Sequence, residues 1–145
     1  YGLRALLYIT KEGTDRPVVV REIAEKERLP RKFLEAILVE LKDAGLLRSR
    51  PGKGGGYNLN RPAETIPLSR IIRVIDGPLA PIACVSQTAY APCRDCLDEQ
   101  TCVIRAVMKR VRDVTAEVLD GISLRDLARQ QDLLSQKLPY LDFSI

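Results

Sequence analysis

Apolar residues recur at helical spacing along most of the chain, and short breaks in that period mark its elements. Leu3, Leu6, Leu7 and Ile9 predict a first helix, ended by Gly13 and the stretch 14–16. Pro17 to Val20 is short and β-branched and reads as a strand. Residues 21–27 predict a short helix with Ile23 and Ala24 inward. Arg28-Leu29-Pro30 is a tight connection, with Pro30 at a first helical position where its missing N–H costs nothing. Residues 31–44 predict a longer helix whose apolar face is Phe33, Leu34, Ile37, Leu38 and Leu41. Gly45 is its left-handed stop. The opposite face carries Arg31, Lys32, Glu35, Ala36, Glu40 and Lys42.

Residues 46–49 and 57–60 read as two short strands. Between them, four of the five residues 52–56 are glycine, which fits a tight hairpin tip and neither a helix nor a strand interior. Such a tip is held close to something that needs bare backbone. Helical spacing returns over 66–75 through Leu68, Ile71, Ile72 and Ile75, with Ser69 and Arg70 outward, and Gly77-Pro78 ends it. Residues 78–101 are loop-like. A long helix follows over about 101–120, carrying Val103, Val107, Val111, Val114 and Val118 on one narrow stripe. That spacing is close to a heptad seam and suits packing on a partner. Residues 123–127 predict a second short helix, and 130–145 carry no clear pattern.

The 145 residues are 46% apolar and 29% charged, a globular composition sized for one domain or a small domain with an appendage. Trp is absent and Phe occurs twice, so the core is aliphatic. No apolar run approaches the roughly 20 residues that span a bilayer, and no signal peptide is visible. The chain begins at Tyr1 inside an apolar-periodic stretch, as expected where an original start is missing. Net charge is +4, and its location matters more than its size. Residues 45–62 hold Arg48, Arg50, Lys53 and Arg61 and no acid, which leaves the remainder balanced. A local basic segment of this kind suits phosphate. There is no histidine, which removes Ser-His and Cys-His catalysis, His metal ligands and the usual neutral-pH base. No phosphate loop or nucleophile motif is present either, so an enzyme is not expected.

Helix, short helix, tight turn, helix and Gly-tipped basic hairpin is the order of a winged helix-turn-helix. The expected fold is mainly α with a small β wing. Arg31 and Lys32, at the positive end of the second helix of the pair, suit phosphates. Glu35, one turn in, suits a cytosine amino group. Arg50 and Lys53 at the hairpin reach backbone or minor groove. The second constellation is Cys84, Cys93, Cys96 and Cys102, spaced x8, x2 and x5 and clustered before the long helix. A thioredoxin-type reading of Cys93 and Cys96 lacks its strand-to-helix context. Structural zinc usually uses two CxxC pairs, and iron–sulfur ligation tolerates irregular spacing. Spacing leaves both open.

Pro30-Arg31-Lys32-Phe33-Leu34-Glu35 and Arg50-Pro51-Gly52-Lys53-Gly54-Gly55-Gly56-Tyr57 resemble the Rrf-type (IscR/NsrR-like) bacterial transcription regulators. So do Ile75-Asp76-Gly77-Pro78-Leu79, the cysteine loop and the long helix, and the resemblance covers residues 1 to about 128. It implies a homodimer with crossed long helices, a palindromic double-stranded DNA operator and a cytoplasmic, non-membrane protein without a small-molecule substrate. It implies DNA contacts from Arg31, Lys32, Glu35, Arg50, Lys53, Gly54, Gly55 and Tyr57. It further implies a 2Fe-2S or 4Fe-4S iron–sulfur cluster, acting as sensor of redox, iron or nitric oxide; the cysteine spacing keeps as the alternative a structural zinc protein whose winged helix serves protein contact or constitutive DNA binding. By position the family's ligand trio falls on Cys84, Cys96 and Cys102. Arg105 stands where some relatives have a ligating histidine. Cys93 is then the candidate fourth ligand, with Asp95, Asp98, Glu99 or a partner-chain residue as alternatives. The expected organisation is a DNA-binding domain over 1–77 and a cluster loop over 78–101. A dimerisation helix with a short following helix spans 102–128, and a tail spans 129–145.

Overall fold

The computed structural model describes residues 1–137. They form six helices and one two-stranded sheet: α1 (Gly2–Glu12), α2 (Val20–Lys26), α3 (Arg31–Asp43), β1 (Leu47–Arg50), β2 (Gly56–Leu59), α4 (Leu68–Ile75), α5 (Val103–Asp120) and α6 (Leu124–Lys137). No described helix is long and apolar enough to cross a membrane. The chain divides into two compact units. One comprises Tyr1–Ile66 together with the segment from Ser123 onward, and the other Pro67–Ile122.

In the first unit the core is aliphatic. Leu6 and Ile9 of α1, Ile23 of α2, Leu34, Leu38 and Leu41 of α3 and Leu46 and Leu47 at the wing are essentially inaccessible. Each contributes on the order of 1.5–3 kcal/mol through burial. Arg28 turns the chain between α2 and α3 with a positive φ of 52°, and the Leu29 amide donates to the Ala24 carbonyl at 2.9 Å. Pro30 stands one residue earlier than expected, at the N-cap of α3. The helix ends in the predicted left-handed turn: Gly45 has φ 74°. Its amide donates to the Lys42 carbonyl at 2.9 Å, and that of Leu46 to Leu41 at 2.9 Å, the paired bonds of a Schellman motif.

Three readings of the pattern are corrected here. Residues 17–20 do not form a strand: Val18 makes a single antiparallel bridge to Tyr57, and Val20 already begins α2. Phe33 is not in the core but 65% exposed. Leu34, Leu38 and Leu41 set the buried line of α3, and Phe33, one residue from Leu34, lies about 100° around the helix from it. Beyond the predicted short helix at 123–127, α6 continues to Lys137. Its start is a capping box: the Ser123 hydroxyl accepts from the Asp126 amide at 3.1 Å, and Asp126 accepts from the Ser123 amide at 3.0 Å. Leu124 and Ala128 are its buried residues, and Lys11 of α1 pairs with Asp132 at 2.5 Å. The patternless stretch from 138 to 145 lies outside the described residues.

One polar cluster ties α1, the following loop and α2. The Tyr8 hydroxyl donates to Glu22 at 2.9 Å, and Arg16 forks onto the same carboxylate at 2.6 and 2.8 Å. The Arg16 hydrogen bonds hold Glu22 below its ordinary carboxylate value. Burial, then Glu22, pushes the Tyr8 hydroxyl up to about 12.

The second unit packs α4 on α5 and hangs the cysteine loop from them. Ser69 is not outward as its spacing suggested. It is fully buried and donates to Asp120 near the end of α5, so a polar residue on the inner face is satisfied rather than solvated. The Leu68 amide donates to the Ile122 carbonyl at 2.8 Å. None of the α5 residues is buried.

Candidate nucleic-acid interface and cysteine loop

The wing is a four-pair antiparallel hairpin, Leu47 opposite Leu59 through Arg50 opposite Gly56. Its glycines divide by what surrounds them. A Cβ on Gly55 would sit 2.0 Å from the Arg50 carbonyl oxygen, and one on Gly56 2.5 Å from that of Val18. These two therefore serve the hairpin itself. Gly55 closes the turn by donating to Gly52 at 3.0 Å, and Tyr57 exchanges backbone bonds of 2.8 and 2.9 Å with Val18. Gly52 and Gly54 have positive φ and open space around them. The bare backbone that the sequence demanded is thus partly an internal packing need.

Arg50, at the end of β1, and Lys53, at the tip, are exposed and form no ion pair within the described residues. On α3 the same holds for Lys32. Arg31 is different: its Nε lies 2.8 Å from Glu35 Oε1, one turn on. Both predicted groups are exposed and hold each other through one contact, which leaves the other guanidinium N–H groups of Arg31 and the second oxygen of Glu35 open. Tyr57 is half-buried. Two further basic residues, which the sequence marks only by their charge, join them. Arg48 and Arg61 line an open concavity of about 400 Å³ with Asn58, Asn60 and Arg125. A second of the same volume adjoins it through Arg48 and Asn58 and reaches Arg50. Alternation along β1 already placed Arg48 and Arg50 on one face of the strand.

In the second unit none of the four cysteines forms a disulfide. Cys84 is buried, Cys96 and Cys102 half-buried and Cys93 exposed. Cys102 is the N-cap of α5, its sulfur accepting from the Arg105 amide at 3.4 Å. Next to Cys84, the Val85 carbonyl accepts from Arg112 of α5 at 2.5 Å. The loop is therefore pinned to the helix at both ends of the cysteine run. Burial, then Cys102, pushes the Cys96 thiol up, with a smaller push from Cys93. Among the described residues, no three Cys, Asp or Glu side chains are gathered closely enough to hold a metal ion. Glu99 accepts from the Tyr90 hydroxyl at 2.6 Å and raises that group's pKa. Arg105 Nε lies 3.7 Å from the same carboxylate and is buried without a hydrogen bond. A set of four thiols on one loop, with a buried Arg105 Nε–H that makes no hydrogen bond, fits an anionic sulfur centre in chemistry.

Residues 1–130 match the family model described as Rrf2, iron-dependent transcriptional regulator. An rrf2-like HTH-type transcriptional regulator of Rhodobacter capsulatus is 40% identical over 130 residues, covering 88% of this chain and 87% of the relative. The HTH-type transcriptional regulator CymR of Bacillus subtilis is 32% identical over 132 residues, covering 91% and 87%. Among solved structures, B. subtilis CymR, titled the global cysteine regulator, superposes with a TM-score of 0.72 at 32% identity, covering 90% of this chain and 92% of that one. T. potens IscR superposes with 0.70 at 29% identity, covering 90% and 82%. Winged helix, basic wing and family match converge: the chain belongs to the Rrf2 family of DNA-binding transcriptional regulators, which are not enzymes.

Proposed function

We propose that this regulator is a cytoplasmic homodimer that binds a palindromic operator, and that Cys84, Cys96 and Cys102, with Cys93 as fourth ligand, hold an iron–sulfur cluster. The observation that carries the reading is the confinement of all four thiols to one loop that ends at the N-cap of α5. When bound, a cluster would supply charge and redox sensitivity at that loop. The chain's own residues do the rest. Arg112 and the Cys102 cap fix the loop to α5, so a change in how the thiols are held acts on the helix. The exposed stripe of α5, with Val107, Val111 and Val114 each about half accessible, supports dimerisation along that helix. Dimer symmetry then requires two α3 helices and two wings to address two half-sites. Lys32, Arg50 and Lys53 contact phosphate, Arg31 and Glu35 exchange each other for groove partners, and Gly54 lets the wing tip approach closely.

A second reading is a regulator without resident metal. The ungathered side chains and the likeness to a structure titled as a cysteine regulator favour it. Strictly anaerobic purification with visible absorbance and metal analysis separates the readings. The proposal expects coloured protein from the native chain and colourless protein from Cys84→Ser, Cys96→Ser and Cys102→Ser. It expects a bleached or shifted spectrum from Cys93→Ser. Colourless native protein with stoichiometric zinc supports a structural zinc site, and colourless metal-free protein the second reading. A native spectrum from Cys93→Ser removes that residue from the ligand set.

A further inference from the structure

Burial does not explain the place of Phe33. It is 65% exposed on the first turn of α3, in a protein with only two phenylalanines. A single exposed apolar side chain is ordinary; its position is what matters. It is the third residue of the helix that a helix-turn-helix inserts into the major groove, and N-terminal residues of that helix meet base edges. Lys32 precedes it and Ala36 lies three residues on, where side chains are surface neighbours; both are exposed. The Arg31–Glu35 pair occupies the other flank of this outward surface. The helix thus presents a cationic residue and a small one in the middle, a paired polar flank on one side and a bare aromatic flank on the other. In the major groove the only apolar group on a base edge is the thymine 5-methyl, and Phe is among the side chains that suit it.

We propose that Phe33 is a specificity-determining residue that reads a thymine methyl in each half-site. The proposal rests on the DNA-binding reading and adds to it a base identity. The probe is a duplex enriched from a random library by the native chain, with each thymine replaced singly by uracil, which removes only the methyl. One thymine per half-site should show a loss of about fourfold in affinity, as for removing one buried methyl at tenfold per 1.4 kcal/mol. Phe33→Ala should bind more weakly and show no uracil penalty at that position, while Phe33→Leu, which keeps an apolar tip, should retain it. Because the side chain is exposed, the urea midpoint of either variant should match the native chain. No uracil penalty anywhere, or a penalty of equal size in Phe33→Ala, overturns the proposal. So does a Phe33→Ala variant that dissociates by light scattering while keeping its uracil penalties, which places Phe33 in a protein interface. Failure to enrich any duplex overturns the DNA-binding reading itself, and this proposal with it.

Discussion

Replacing Arg50 and Lys53 together by Ala tests the wing as an electrostatic element. Both side chains are exposed and make no ion pair within the described residues, so each can neutralise a DNA phosphate and release the counterions condensed on it. Each phosphate contact contributes about 0.9 to the slope of log K against log salt. A dimer presenting two wings would lose four such contacts, so the slope should flatten by about 3.6. Between 50 and 200 mM salt, the native chain should then lose about 150-fold more affinity than the variant. Arg31→Ala serves as the internal contrast. Its guanidinium is already paired with Glu35 at 2.8 Å, which offsets part of its charge toward a phosphate, so it should change the slope less than Lys32→Ala does. The measurement is fluorescence anisotropy of a labelled duplex across a salt series, with urea unfolding as the folding control. A slope unchanged in the double variant, at an unchanged urea midpoint, would refute a DNA-contacting wing.

Other outcomes follow from the same geometry. Gly55→Ala should cost about 2–3 kcal/mol in urea unfolding, because its Cβ would press on the Arg50 carbonyl. Gly54→Ala, strained only by its φ of +77° in open space, should cost about 1 kcal/mol; equal costs would mean the turn adapts. Val111→Asp, which puts a charge into the exposed α5 stripe, should give monomers or unfolded chain by light scattering, and a folded dimer would mean that the stripe packs elsewhere. The Tyr8 hydroxyl is raised to about 12 from an ordinary value of 10.0. Its contribution is therefore complete below about pH 10 and is lost as pH rises through 12. Tyr8→Phe should remove that alkaline loss from the stability profile, and an unchanged profile would assign it to another group.

Much of the fold was legible because helices report themselves twice, in period and in punctuation. The Leu34, Leu38 and Leu41 line and the Gly45 stop define α3 from both directions. The errors fall where one signal stood alone. Pro17 to Val20 had strand composition but too little length to pair beyond one bridge. Phe33 had the right polarity but the wrong angle. Ser69 had a polar side chain whose partner, Asp120, lies 51 residues away, a distance no local period encodes. Most of α6 has no counterpart in the pattern because, among its described side chains, Leu124 and Ala128 alone are buried, and two burial points over one turn make too short a period to extend.

For the candidate site, residue types were legible and their state was not. The glycines of the wing show why. A sequence shows that residues 52–56 need bare backbone, but not whether the demand comes from a ligand or from the chain. The structure divides the demand: Gly55 and Gly56 answer to the carbonyls of Arg50 and Val18, and Gly52 and Gly54 alone leave their approach open. The same division separates Arg31, whose charge Glu35 already holds, from Lys32, Arg50 and Lys53. A binding residue is one whose valence the fold leaves unspent. By that criterion Lys32, Arg50, Lys53 and Gly54 are the least encumbered members of the proposed DNA-facing set. The proposal of this article adds Phe33, an apolar surface the fold leaves exposed, and Arg48 lines both open concavities.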